Sequence, residues 1–392
     1  MSLYHLSIIL ASIIQGANTF PLQPNGRKIS ITMIEPKNGF LNVIGMPRAL
    51  LDTDFAKSQY FAFNGLKGIK FDNIFENEKR TRRTTTNSQI NLELSYIQAK
   101  VTNLDKKSAE YQMGKESKAY SLQFDYVVLA TGRHRSPPMS PKSLDIKSFV
   151  SEAGEFKQKV EKSDKVSVIG AGAVGIEIAA EIKHSYPEKT VNLIHPYSSF
   201  PPEPLSGKFK EYVHSALKDA GINIYLETRV EKELANGNLV TVDGKIIESQ
   251  FNYWSSGKKN NISMLSKEIQ EKYVSEKGNL LTNEHLQLSN VQDTVKNFYC
   301  IGDIVEIPVI KTAGWAAKMG RICASNIFSL LLNKEANETL PEKLLKSKNM
   351  VLVSGNRDIV SEANSQVEIN NVRLVEQYKD YCLSKAMMKL NL

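Results

Sequence analysis

Residues Lys165–Glu181 read KVSVIGAGAVGIEIAAE, and their local order decides the fold. The apolar run Val166-Ser167-Val168-Ile169 has the composition of a buried parallel strand, and Ile176 to Lys183 continues as a helix. Between them Gly170, Gly172 and Gly175 supply a GxGxxG turn. The first glycine makes a tight turn, the second lets a pyrophosphate approach the backbone, and the third lets helix and strand pack closely. Phosphates then lie at a helix N-terminus, where N–H groups are unspent. A second strand, Thr190 to Ile194, follows at about the twenty-residue distance expected of a ribose-binding strand end. A glycine-rich turn without a ligand is the alternative reading; the complete strand-turn-helix-strand context favours the nucleotide.

A chain of 392 residues, 41% apolar and 23% charged, has room for two or three folded domains. Fifty basic against 42 acidic residues leave a net charge of +8, which suits anionic cofactors, a membrane surface or nucleic acid without choosing among them. Cys300, Cys323 and Cys382 form neither a CxxC pair nor metal-ligand spacing, so no disulfide framework, thiol relay or metal site is expected, and a reducing, cytoplasmic compartment is the default. Leu3 to Ile14 is apolar but too short to span a bilayer and has no preceding basic residue; it reads as a buried helix. Lys79 to Arg83 is a small basic cluster, read as a solvated loop.

Ile29 to Glu35 (ISITMIE) reads as the second strand of a dinucleotide fold, with Glu35 placed for an adenosine ribose. A first strand and glycine loop should precede it, yet Ser2 to Leu10 looks like the helix that would follow them. Phe40 to Leu51 reads as a loop entering a helix, and Ile90 to Leu104 as strand alternation. FDYVVLATG, Phe124 to Gly132, is a buried strand ending in small residues, where backbone can approach a dinucleotide. Further on, Lys208 to Ala220 has helical periodicity, Ile222 to Leu226 reads as a strand, and Asn236-Gly237-Asn238 and Asp243-Gly244 as hairpin turns. Tyr253 to Gly257 reads as a second strand-to-glycine crossing. Phe298 to Asp303 is a strand whose aspartate suits a ribityl hydroxyl or a helix N-cap, before a helix from Lys311 or Thr312 to Leu332.

At these residues the chain resembles the apoptosis-inducing-factor-like flavoproteins of the AMID group, the ferroptosis-suppressor type. The resemblance runs through Glu35-Pro36-Lys37 with Arg48, LATG at Leu129 to Gly132, Gly170 to His195, Asn283 to Gln287, IGD at Ile301 to Asp303 and Lys311 to Phe328. It implies an α/β fold of two Rossmann-like dinucleotide-binding domains, of the pyridine nucleotide-disulfide oxidoreductase type without its redox CxxC, plus a small C-terminal α+β domain. The implied boundaries are 1–135 and 258–335 for FAD, 136–257 for NAD(P)H and 336–392 for the interface domain. By that likeness Glu35, Arg48, Thr131, Gly132, Asp303 and Lys311, with Ala313, attend FAD. Gly170, Gly172, Gly175, Glu177, His195 and Gly257 attend NAD(P)H. Glu177 also has a plainer use, since a first-turn carboxylate complements the helix dipole. A neutral imidazole at His195 neither excludes nor requires a 2′-phosphate.

Two departures accompany the likeness. The N-terminal glycine after methionine that some relatives use for myristoylation is absent, and in Tyr378 to Cys382, which resembles the family's charged dock, a lysine and a phenylalanine are replaced by Gln377 and Cys382. The expected chemistry is hydride transfer from a nicotinamide to a flavin and delivery of electrons to a quinone-type acceptor. Mitochondria or another membrane surface are the settings the likeness adds. Weakened FAD binding is expected if the first phosphate nest is missing. The alternative is a non-catalytic NAD(P)H-binding protein that signals or binds nucleic acid through its basic surface.

Overall fold

The computed structural model describes residues 29–66, 69–76, 79–82, 92–114, 118–255, 259–345 and 348–390. The expected N-terminal helix, the question of a first strand and glycine loop, and Gly257 all lie outside those residues. Strand β1 (Ile29–Ile34) pairs in parallel with β2 (Leu92–Ile97), whose other side takes Asn73–Glu76. Lys79–Arg82 then forms a fully exposed antiparallel edge strand where a loop was expected, because its backbone pairs with Asn73–Glu76 while its basic side chains stay in water. Gly39–Leu41 also departs from the expected loop and pairs with Tyr60–Ala62. A three-stranded antiparallel meander follows, and then β3 (Val127–Leu129).

The central domain is the part the glycine stretch encodes. Strand β4 (Lys165–Ile169) leads through the turn into helix α1 (Ala173–Ser185) and back to β5 (Thr190–Ile194). With β6 (Asn223–Tyr225) and β7 (Phe251–Trp254) they make an all-parallel sheet in the order β6-β5-β4-β7. Val168 lies opposite Leu193 on one side and Tyr253 on the other. Both faces are covered, which is why β4 and β5 are apolar runs rather than alternating ones.

The second crossing returns the chain to the first domain, and Arg133–His134 and Lys259–Asn260, one from each crossing, pair antiparallel. Strand β8 (Thr294–Cys300) pairs in parallel with β3, and a glycine turn leads on to helix α2 (Ala313–Leu331), N-capped by Thr312. Among the described residues, two of the sheets of the first domain end in β1 and β3, each with an unpaired side. Strand β9 (Met350–Val353) begins a three-stranded antiparallel sheet followed by two short helices. This last unit packs on α1: one continuous core contains Phe40, Phe149, Ile176, Leu352 and Val360. Helix α1, covered by the parallel sheet and by this unit, is therefore apolar around most of its circumference, with Ile176, Ile178, Ala179, Ala180 and Ile182 buried. No helix among the described residues is long and apolar enough to cross a membrane.

Candidate functional site

The three glycines after β4 meet three different constraints. Gly170 has φ +110, and a Cβ there would also lie 3.0 Å from the Ser255 carbonyl oxygen. At Gly175 a Cβ would sit 1.9 Å from the Gly170 oxygen, so only glycine lets α1 rest on the turn. Gly172 is different: its backbone is extended, it N-caps α1 without a side-chain hydrogen bond, and no atom comes within 4 Å of an added Cβ. Unspent N–H groups at the start of a 13-residue helix, facing open space, form a cradle that fits a pyrophosphate. At the end of β5 the His195 imidazole is buried, and its Nδ1 accepts the Ala171 N–H at 3.2 Å.

On the flavin side, Glu35 follows β1 and is 1% exposed. Its Oε1 accepts the Lys37 N–H at 3.1 Å, while Oε2 is buried with no hydrogen-bond partner. Burial pushes this carboxyl above the usual range, against the pull of the Lys37 N–H. A buried acceptor without a donor is costly, and a ribose hydroxyl would satisfy it, so Glu35 fits the adenosine end of FAD. Thr131 and Gly132 close the first crossing: the Thr131 hydroxyl donates to the Asn261 carbonyl at 2.5 Å, and Gly132 has φ +65. Gly302, with φ +81, donates its N–H to Met319 Sδ at 3.1 Å. Asp303 is buried and ion-paired to Arg135 at 3.6 Å. Lys311 donates to the Val305 carbonyl, and burial with the nearby Arg133 charge lowers its ammonium to about 8.

Arg48 has contacts of its own. Its guanidinium donates to the Lys379 carbonyl at 3.1 Å, reaches Glu181 at 3.6 Å, and stacks over Tyr381 and Phe55. Glu181, fully buried on α1, also pairs with Arg357 at 3.1 Å and accepts the Tyr381 hydroxyl. Three side chains, Arg48 from the first domain and Arg357 and Tyr381 from the C-terminal unit, therefore converge on one carboxylate. None of Glu181, Arg357 and Tyr381 stands out in the sequence as part of such a cluster. The available signal was two carboxylates, Glu177 and Glu181, in an otherwise apolar helix, since buried charges require partners. Arg135 was missed as well, although it follows the LATG glycine by three residues.

Glu177 lies one turn before Glu181 and aims its carboxylate inward, with Oε1 accepting the Val353 N–H at 3.3 Å. Burial, assisted by the Glu181 charge and opposed by Val353 and Arg135, raises it to about 8 from an ordinary 4.5. Between those two values the folded chain holds a proton that the unfolded chain has released. Its contribution to stability is therefore complete below about pH 4.5 and is lost as pH rises towards about 8. Glu177→Gln is expected to flatten this slope and to gain up to about 3 kcal/mol over the wild type at the alkaline end. Urea denaturation of both proteins across that window checks it, and parallel pH profiles would contradict it.

The model of the pyridine nucleotide-disulphide oxidoreductase family matches residues 17–320. The chain is 27% identical over 320 residues to the oxidoreductase OXR1 of Ajellomyces capsulatus, covering 78% of this chain and 64% of that protein, so it spans less than two thirds of that relative. It is 23% identical to apoptosis-inducing factor homolog A of Dictyostelium discoideum, over 87% of this chain and 81% of that one. With ferroptosis suppressor protein 1 of Taeniopygia guttata the identity is 23%, over 91% and 88%. Among solved structures, NDH2 from Plasmodium falciparum in complex with NADH superposes with a TM-score of 0.67 at 13% identity, covering 97% of this chain and 95% of that one, a likeness of fold.

Proposed function

Because the chain belongs to the pyridine nucleotide-disulphide oxidoreductase family, in its apoptosis-inducing-factor and ferroptosis-suppressor-like group, we propose that it is an NAD(P)H oxidoreductase that delivers electrons to a quinone-type acceptor. Its cofactors are those of the family, FAD and NAD(P)H. FAD, when bound, supplies the hydride acceptor and the two-electron reactivity that no side chain has. The observation that carries the reading is Arg135. It pairs with Asp303, which follows β8 of the flavin domain, and its charge also acts on Glu177, the fifth residue of the nucleotide-loop helix rather than a first-turn carboxylate. One guanidinium thus joins the two candidate nucleotide sites, as a reaction between their occupants requires.

Within that arrangement Glu35 and Asp303 would hold the ends of FAD, and the Gly172 turn would hold the NAD(P)H pyrophosphate. Desolvation raises the Glu177 carboxyl to about 8, so that it would hold a proton at neutral pH. The cysteines support direct delivery to a small acceptor: none is in a disulfide, all three are buried, and burial pushes the Cys300 and Cys323 thiols well above their usual range. A membrane surface suits a lipophilic acceptor, and the exposed Ile369, Val372, Val375 and Met388, with Lys379 in the same C-terminal unit, support that setting. Steady-state oxidation of NADH and NADPH by ubiquinone analogues, with FAD-loaded protein, tests the reading. Ping-pong patterns are expected, and no quinone-dependent oxidation would remove the acceptor assignment.

A further inference from the structure

Residues 141–144 carry the chain from the first crossing into the helix Ile146–Glu161, and two side chains of opposite charge grip them. Lys37, two residues past Glu35, is 7% exposed, and its ammonium donates to the Pro141 carbonyl at 2.8 Å and to the Ser143 carbonyl. From the other side Glu152, half-buried on that helix, accepts the Lys142 N–H through Oε1 and the Ser143 N–H through Oε2, each at 3.1 Å. A three-residue stretch therefore gives two carbonyls to a cation and two N–H groups to an anion. The next carbonyl, that of Leu144, accepts the Asn38 N–H at 2.8 Å and the Tyr60 hydroxyl at 3.1 Å, and Asp145 then caps the helix. The two charges come from different domains. Lys37 lies on the loop after β1, whereas the helix of Glu152 packs on the parallel sheet, with Phe156 edge-on to Phe251 at 5.3 Å and to Tyr253 at 5.9 Å. Connecting segments ordinarily run over the surface, where water satisfies them, so burying an ammonium to hold one is a cost. Burial lowers the Lys37 ammonium from its ordinary range, opposed by the Glu35 and Glu152 charges.

We propose that Lys37 and Glu152 are positioning residues for flavin reduction: by clamping residues 141–144 between them, they set how the nucleotide at the Gly172 turn meets the flavin held at Glu35 and Asp303. The backbone of Lys37 serves the other end of the same arrangement. Its N–H donates to Glu35 Oε1 at 3.1 Å and its carbonyl accepts the Tyr96 hydroxyl at 2.8 Å, so one residue fixes the ribose carboxylate through its main chain and the crossing through its side chain. Both residues act through the crossing and not on a reacting atom. The inference rests on the flavin and nucleotide reading proposed for the two sites.

The test compares FAD-loaded wild type, Lys37→Met and Glu152→Ala. Methionine keeps the apolar stem and the N–H on Glu35 but has no donor to offer the crossing. Glu152→Ala removes the acceptors at a half-buried position, and it decides the matter if Lys37→Met does not fold. Three quantities are read: the limiting rate of anaerobic flavin reduction by NADH and by NADPH, the dissociation constant of each, and hydrogen exchange in the antiparallel pair of Arg133–His134 with Lys259–Asn260, which joins the two crossings. The limiting rate should fall roughly 10- to 100-fold, the effect of displacing a reacting group by about 1 Å, while the dissociation constants stay within about threefold. Exchange in the strand pair should be faster by about tenfold, because the clamp no longer holds the domains that the pair connects. A role in stability alone would lower the melting temperature and leave the rate of the folded protein as it is. If either the limiting rate or that exchange is unchanged in the folded variants, the inference falls and the proposed reaction stands. If wild-type flavin is reduced by neither nucleotide, both fall.

Discussion

Gly172→Val is expected to leave the protein folded and to weaken NAD(P)H binding by roughly a hundredfold or more. The open space around this residue and its extended backbone mean that an added Cβ meets no other part of the protein. The cost of a poorer N-cap is about 1 kcal/mol. The new side chain would instead stand where the pyrophosphate must approach, at the expense of hydrogen bonds to a charged group worth about 1.5–3 kcal/mol each. Two such bonds amount to two decades or more at about 1.4 kcal/mol per decade. Gly175→Val is the contrasting control: a Cβ 1.9 Å from the Gly170 oxygen forces α1 off the sheet, so that variant should fail to fold. Fluorescence titration of NADH and NADPH decides the first case and circular dichroism the second. Equal affinities in wild type and Gly172→Val would remove the turn from the nucleotide site.

The second large effect is expected at Glu181. Removing this carboxylate strands Arg48 and the Tyr381 hydroxyl at a buried junction, and also frees Arg357, which is 38% exposed and can regain water. Breaking one partner out of a buried charge cluster costs about 3–5 kcal/mol, and the exposure of Arg357 places Glu181→Ala at the lower end. Because Tyr381 and Lys379 belong to the C-terminal segment, the loss should fall first on its attachment to α1. Urea denaturation, with limited proteolysis of the last residues, reads both effects. A stability within about 0.5 kcal/mol of wild type would show that the cluster contributes nothing net. Tyr381→Phe, which removes one hydrogen bond and keeps the ring under Arg48, should cost less, about 1–2 kcal/mol.

The parts of this molecule that can be read from sequence are those whose physics is local. Strand β4, the turn, α1 and β5 follow from apolar runs and three glycines within thirty residues, and the structure forms them within one to three residues of the expected limits. Glu35 and Asp303 could be singled out because each closes a β-branched or aromatic strand, and each is buried where that strand ends. The Glu181 cluster was not legible, since Tyr381 lies 200 residues away along the chain and Arg48 comes from the opposite end. No spacing rule connects them; only the packing of the C-terminal unit on α1 does. The same holds for Gly39–Leu41, whose strand character exists only through Tyr60–Ala62. At His195 the residue type was legible, but the tautomer was not, because the Ala171 N–H that selects it is a backbone group 24 residues away.

The most direct measurement is anaerobic addition of NADH and of NADPH to FAD-loaded protein while the visible flavin absorbance is followed. On the proposed reading, which puts Glu35 and Asp303 at one nucleotide and the Gly172 turn at the other with Arg135 between them, the expected result is rapid bleaching by at least one of the two and its loss in Gly172→Val. Flavin absorbance that persists although the nucleotide is shown to bind would contradict it, because the two sites would then not meet.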